Sequence, residues 1–309
     1  MGREKGFYRV VFELREPVKI FLNLAPSRLL SIKKINEKVF LIEFDGTVFA
    51  KLVRWIKRYR IDTLLESIYF GGLIFHSLED FLEYFSYHLV KEVISPFSYR
   101  YQKIFDYSGN WIAFEVLFNF PRGLSAFDIK TFGIPTADID LLIIGKLFEF
   151  YPELLSLDKK VFVNVFPSSL TDAVFKENFL SLVGGASNVT VEVLEYKIFD
   201  RSEFLRTLET FREKRIAVAV DDWGSENAGI SRVVSMRPNY LKIDKSITWN
   251  RLGRKLVKPF IRTLKRELGV KVIVEGIDNN NHLNWAKSVG AYVQGYFLHK
   301  PEGLHLLLR

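Results

Sequence analysis

Cysteine is absent from this chain of 309 residues, so a disulfide framework and thiolate metal sites are both excluded. A membrane-spanning run is missing as well. The longest candidate, Ser67 to Leu78, is interrupted by Gly71, Gly72 and His76 and falls short of the roughly 18 apolar residues that a spanning helix needs. No low-complexity linker and no solenoid-length repeat breaks the chain. The charged start Met1-Gly2-Arg3-Glu4-Lys5 is followed by no signal-peptide core, and the expected location is cytoplasmic. Histidine is scarce, and His88, His282, His299 and His305 show no metal-ligand spacing. They are read as incidental. What the chain has in quantity is core material: 48% hydrophobic residues, with 28 Phe and 13 Tyr.

The net charge of +8 is uneven, because residues 1–78 hold 14 Lys/Arg against 8 Asp/Glu. Lys51, Arg54, Lys57, Arg58 and Arg60 are the densest part of that excess. Such a run is either a solvated helix face or a surface for an acidic partner, nucleic acid or a membrane. No DNA binding is expected from it.

The chemistry sits in seven apolar, strand-like runs that each reach a polar residue: Ala113-Phe114-Glu115, Phe162-Val163-Asn164, Thr190-Val191-Glu192, Val218-Ala219-Val220-Asp221-Asp222, Tyr240-Leu241-Lys242, Ile273-Val274-Glu275 and Tyr292-Val293-Gln294. A core strand has no use for a terminal carboxylate or amide. Strands that share this habit are expected to converge at the C-terminal face of a (β/α)8 barrel. Carboxylates with an Asn, a Lys and a Gln form a hard oxygen donor set, suited to Mg2+ or Mn2+ rather than zinc. The residues alone therefore read as a barrel for two-metal phosphoryl chemistry.

A barrel of about 250 residues leaves room for one small extra domain. Residues 1–78 read as that α+β module, with strands at Phe7–Leu14, Val18–Leu24 and Lys38–Phe44, a helix over Val48–Tyr59 and a buried strand over Leu64–Phe75. Residues 79–309 are assigned to the barrel, starting with an amphipathic helix over Leu78–Val93 and a junction near Ser95-Pro96. Tyr99–Phe105 and Trp111–Phe118 flank the turn Asp106-Tyr107-Ser108-Gly109-Asn110, so one of the eight strands should run antiparallel. Strand and helix alternate thereafter to Ala291–Tyr296.

From about Ser98 to Pro301 the motifs resemble those of EAL domains, which hydrolyse cyclic di-GMP. Glu115-Val116-Leu117 stands for the signature triplet, Glu192-Val193-Leu194-Glu195 for the Glu-x-x-Glu block and Asp221-Asp222-Trp223-Gly224 for Asp-Asp-Phe-Gly. Leu241-Lys242-Ile243-Asp244, Val274-Glu275-Gly276-Ile277-Asp278 and Gln294-Gly295-Tyr296 complete the order. The resemblance implies a phosphodiesterase opening cyclic di-GMP to linear pGpG. It implies Glu115, Asn164, Glu192, Asp221 and Asp222 as ligands to two Mg2+ or Mn2+ ions, with Ca2+ inhibitory. Lys242 and Glu275 are the implied catalytic residues, with Glu195 supporting the loop after Asp222. Gln294, Leu117, Asn119 and Gln102 would face the substrate. A homodimer, and a protein partner for the N-terminal module, are further expectations. That module resembles a shortened GGDEF-like fold only in the order of its elements.

Two positions depart from the pattern. Asn119 stands where the family has a phosphate-binding Arg, and an amide cannot supply a bidentate guanidinium. Glu226 replaces a Gly in the loop after Asp222. Gln102-Lys103-Ile104 also stands for Gln-Pro-Ile. The alternative reading is therefore a weakened domain acting as a cyclic di-GMP receptor or a protein scaffold.

Overall fold

The computed structural model describes residues 7–15, 30–35, 37–45, 52, 56–58, 60–70, 73–89, 98–119, 135–194, 200–224 and 230–307. They divide into two compact units; the second comprises Ser98–Phe118 and Thr136–Arg309.

The first unit is an antiparallel sheet of β1 (Phe7–Leu14), β2 (Leu30–Lys34), β3 (Val39–Asp45), β4 (Leu65–Phe70) and β5 (Leu73–Phe75), in the order β2-β3-β1-β4-β5. Period-two burial gives it one apolar face: Val10, Phe12 and Leu14 from β1 lie with Phe40, Ile42 and Phe44 from β3. Helix α1 (Leu78–Leu89) packs Phe81 and Phe85 against this sheet, with the Phe12 and Phe81 rings 6.4 Å apart and Phe70 and Phe85 5.2 Å apart. The units divide at Phe97/Ser98, after α1 and close to the junction read near Ser95-Pro96 rather than at 78/79. The buried strand expected over Leu64–Phe75 is instead a hairpin, with Ile68 paired to Phe75 and Phe70 to Leu73. Gly71-Gly72 separates its arms, and Leu73 and Ile74 are exposed. Val18–Leu24 and most of Val48–Tyr59 lie outside the described residues, and β2 was not foreseen.

The second unit is a closed eight-stranded barrel. Its strands are β6 (Ser98–Phe105), β7 (Trp111–Asn119), β8 (Lys160–Val165), β9 (Val189–Val193), β10 (Ala217–Trp223), β11 (Tyr240–Ile243), β12 (Lys271–Val274) and β13 (Tyr292–Val293). They are hydrogen-bonded in chain order, and Val293 of β13 pairs with Phe105 of β6 to close the ring. β7 to β13 run parallel and β6 antiparallel, as the hairpin turn at Asp106–Asn110 requires. Its Asp106 carboxylate accepts hydrogen bonds from the Ser108 and Asn110 amides. A short β14 (Glu302–Gly303) adds to β6.

The connecting helices are α2 (Thr136–Phe150), α3 (Ala173–Val183), α4 (Arg201–Glu213), α5 (Ile230–Met236), α6 (Lys245–Trp249), α7 (Arg251–Leu268) and α8 (Asn280–Ser288). Several start on side-chain caps that the sequence supplies: Asp172, Asp200, Asp244, Asn250 and Asn279 each accept from a backbone N–H of the first turn. No helix among the described residues is long and apolar enough to cross a membrane.

Inside the barrel, Ile104, Ala113, Phe162, Ala219, Tyr240 and Ile273 form one packed layer, each from a different strand. Side chains two residues apart on a strand point the same way. The next inward positions are therefore Gln102, Glu115, Asn164, Asp221, Lys242 and Glu275, with Glu192 and Gln294 following Thr190 and Tyr292 in the same manner. An apolar plug thus supports a polar layer directly above it.

Candidate active site

Lys242 is the hub of that polar layer. Its side chain is 1% exposed, and its Nζ lies 3.0 Å from Glu115 Oε2, 2.9 Å from Glu192 Oε1, 3.0 Å from Asp221 Oδ1 and 2.9 Å from Glu275 Oε1. An ammonium has three N–H bonds, so four carboxylates cannot all be satisfied by it. Asn164 Nδ2 donates to Glu115 Oε1 at 3.0 Å, and Gln294 Nε2 donates to Glu115 Oε2 at 2.7 Å. The same Gln294 nitrogen donates to Gln102 Oε1 at 3.2 Å, while Gln102 Nε2 donates to the His299 carbonyl at 3.0 Å.

Asp222 joins the group through a break in β10. Successive residues of a regular strand face opposite sides, which would separate Asp221 from Asp222. The register with β11 shifts between Val220 and Trp223, and Asp222 has φ +50° in the left-handed region. This irregularity lets oxygens of Asp221, Asp222 and Glu275 lie within 4.8 Å of one another. A non-glycine residue there stores roughly 1 kcal/mol of strain.

The electrostatics follow from burial and crowding. Burial would strip Lys242 of its proton, but Asp221, Glu115, Glu192 and Glu275 hold it well above the usual lysine range. Burial also works to raise Glu115; the Lys242 charge and the Gln294 and Asn164 donors outweigh it and leave Glu115 below its ordinary value. Glu192, wholly buried, is raised by desolvation and by the Glu115 charge. Glu275 is pushed up to about 8 by burial and by Asp221, and Asp222 to about 6 by burial and by Asp221. Both Glu192 oxygens, Asp221 Oδ1 and Gln294 Oε1 are buried without an aligned hydrogen bond.

These oxygens, of which Glu192 Oε1 and Asp221 Oδ1 have only the shared Lys242 ammonium beside them, are the test of fit for divalent cations. With all five carboxylates ionised, the state that bound cations would favour, the layer around one ammonium would carry four negative charges, which two divalent ions would neutralise. The donors are hard oxygens with no sulfur or imidazole among them, as Mg2+ and Mn2+ prefer. The residues present fit such ions.

A family model described as the EAL domain matches residues 95–301. The chain belongs to the EAL domain family. Among curated relatives, the cyclic di-GMP phosphodiesterase TpdA of Vibrio parahaemolyticus is 26% identical over 166 residues, which are 51% of this chain and 28% of that protein. The cyclic di-GMP phosphodiesterase PdeA of Borreliella burgdorferi is 24% identical over 212 residues, 65% of this chain and 30% of that protein. The chain spans less than a third of the length of these relatives. Among solved structures, the Bacillus subtilis YkuI protein, with an EAL domain in complex with cyclic di-GMP and calcium, superposes with a TM-score of 0.59 at 23% identity. That match covers 71% of this chain and 58% of YkuI. Klebsiella pneumoniae BlrP1, as a manganese and cyclic di-GMP complex, gives a TM-score of 0.59 at 17% identity over 96% of both chains.

Of the residues singled out in the sequence, Gln102, Glu115, Asn164, Glu192, Asp221, Asp222, Lys242, Glu275 and Gln294 are brought together in this EAL domain. Glu115, Asn164 and Glu192 are not the last residues of their strands; β7, β8 and β9 each continue past them. Leu117 is half-buried further along β7, and Asn119 is the exposed last residue of that strand. Glu195 and Glu226 lie outside the described residues.

Three contributors went unnoticed in the sequence. Trp249 Nε1 donates to the Gly276 carbonyl at 2.7 Å, bracing the turn just after Glu275. Gly276 has φ +63°, and a Cβ there would strike Lys245. His299, read as incidental, orients Gln102 through its carbonyl, and its Nδ1 accepts from the Lys103 amide at 3.3 Å. The Trp249 indole on a short polar helix and the main-chain carbonyl of His299 leave no sequence signal.

Proposed function

We propose that the chain is a two-metal phosphodiesterase that hydrolyses cyclic di-GMP to the linear dinucleotide pGpG. The observation that carries this reading is the buried knot of Glu115, Glu192, Asp221 and Glu275 around Lys242, with Asp222 beside it. A scaffold has no physical need for it. In this reading Glu115, Asn164, Glu192, Asp221 and Asp222 would hold two Mg2+ or Mn2+ ions. Bound there, the ions would supply water activation and charge neutralisation at the phosphodiester. Lys242 steadies the attacking oxygen and the charge that builds on phosphate. Glu275, mostly buried with 18% of its side chain exposed, is pushed up to about 8 and can take a proton near neutral pH. Gln294 and Gln102, tied to each other and to Glu115, hold the substrate side of the layer. In the net reaction a water oxygen replaces one ester oxygen on phosphorus, and the released sugar oxygen leaves with a proton.

The outward face of α7 supports the homodimer reading: Leu252 and Leu256 are 62% and 68% exposed, next to Trp249 at 52%. Sedimentation of the full chain as a monomer at micromolar concentration would remove it.

Chromatography of cyclic di-GMP incubated with the chain and Mn2+ or Mg2+ tests the activity. Linear product is expected, with none in EDTA and none from Asp221→Asn. A second reading, a receptor, is favoured by Asn119 in place of the family's Arg. Binding in Ca2+ with no product in Mn2+ would establish that reading instead.

A further inference from the structure

The opposite mouth of the barrel holds a second concave site. The first residues of β8, β10, β11 and β12, together with the turns that precede β10 and β11, line an open depression of about 490 Å3. That is the size range of small-ligand pockets. Its charged lining is entirely cationic: Lys160, Arg212, Arg215, Arg237 and Lys271, with no carboxylate among the lining residues.

In a (β/α)8 barrel this face ordinarily serves stability, and here it gathers five cations around one depression. Lys160 loses proton affinity to burial and to the nearby Lys271 charge, a mark of like-charge crowding. Arg215 and Arg237 hold φ +62° and +43°, a conformation that disfavours any side chain with a Cβ. Both are the left-handed residues that close helices α4 and α5, with the Ile216 amide donating to the Phe211 carbonyl and the Arg237 amide to the Val233 carbonyl, and these helix ends bring the two arginines to the border of the cavity. Two of the cations are anchored: Lys160 Nζ donates to the Ser187 carbonyl at 2.6 Å, and Arg212 donates to the Met236 carbonyl. Lys271 lies over the Tyr240 ring at 5.6 Å. No ion pair from Arg215, Arg237 or Lys271 to a carboxylate exists among the described residues.

We propose that this cavity binds a small anion carrying two or more linked phosphates, either a nucleoside diphosphate or inorganic pyrophosphate. One phosphate brings about two negative charges and would leave most of the cations unpaired. Linked phosphates bring more charge along a line and give each guanidinium a bidentate partner. The site lies at the end of the strands away from the carboxylate layer. That layer is net negative without metal and repels the same anion.

The test is calorimetric titration of the metal-free full chain, dialysed to low salt, with pyrophosphate, orthophosphate, GDP and a short oligonucleotide. Pyrophosphate or GDP is expected to bind at one site per chain, at least tenfold tighter than orthophosphate. Tighter GDP binding would identify the nucleotide as the source, and equal binding would assign recognition to the diphosphate alone. The double variant Arg237→Gln, Lys271→Gln should lose at least tenfold in affinity while its ligand-free melting midpoint stays unchanged. Arg215→Gln alone gives a second reading should that variant fold poorly. No saturable binding, or binding unaffected by these variants, would overturn the site. Orthophosphate binding as tightly as pyrophosphate would overturn the linked-phosphate assignment, and preference for the oligonucleotide would overturn the small ligand.

Discussion

Replacing Lys242 by Met removes the cation that contacts four carboxylates and retains most of the side chain's volume. Lys242 is 1% exposed and Glu192 is wholly buried, so water cannot take over the lost role without opening the barrel. Breaking a buried pair from one side typically costs about 3–5 kcal/mol. For a barrel of this size each kcal/mol moves the melting midpoint by about 2–4 °C, giving a fall of roughly 6–20 °C in EDTA. The loss should be smaller at pH 5 than at pH 8. Without the ammonium the folded carboxylates bind protons more tightly than the unfolded ones, so stability falls as pH rises. Millimolar Mg2+ should restore much of the loss, since ions binding only the folded state stabilise it by mass action. The control is Lys146→Met. Lys146 is 40% exposed and pairs with Glu149 at 2.6 Å, a surface contact worth about 0–1 kcal/mol. Scanning calorimetry of both variants, with and without Mg2+, decides the matter. A Lys242→Met midpoint within 2 °C of the parent in EDTA would refute the electrostatic account of the layer.

Other residues give independent checks. Asp140 in α2 is buried, accepts from the Phe166 amide at 2.9 Å and is pushed up to about 8 by burial, so the folded state keeps its proton through the window from about pH 4 to 8 where the unfolded chain releases it. Its contribution to stability therefore falls as pH rises, and Asp140→Asn should be relatively more stable at pH 8 than at pH 5; equal pH slopes in urea melts would contradict this. Gly295→Ala would place a Cβ against the Ile277 backbone, and a loss of about 1–3 kcal/mol is expected by chemical denaturation. Asn119→Arg combined with Glu226→Gly should lower KM for cyclic di-GMP by roughly ten- to a hundredfold, the worth of a charge-assisted phosphate contact, and an unchanged KM would remove that explanation of the departures.

Much of the site was legible because a strand writes its inward face at every second residue. An apolar Ala113, Phe162, Tyr240 or Ile273 followed two places later by Glu115, Asn164, Lys242 or Glu275 is the plug and the polar layer written in one dimension. The single antiparallel strand was legible for a similar reason, since the Asp106–Asn110 turn is local chemistry. What escaped depends on contacts distant in sequence. Nothing local says that Trp249 will brace the turn at Gly276, or that α1 belongs with the first sheet through Phe81 and Phe85. Asp222 was singled out, but the register shift that turns it toward Asp221 depends on pairing with β11. The hairpin of β4 and β5 was missed because Leu64–Phe75 was read as one apolar run, although Gly-Gly between two such runs is a local hairpin signal.

The most direct test of the central claim is a count of bound Mn2+ by electron paramagnetic resonance in the dialysed full chain with cyclic di-GMP present. Two ions per chain are predicted, falling to one or none in Asp221→Asn. No bound ion in the parent chain, or two retained in the variant, would contradict the two-metal reading of the carboxylate layer.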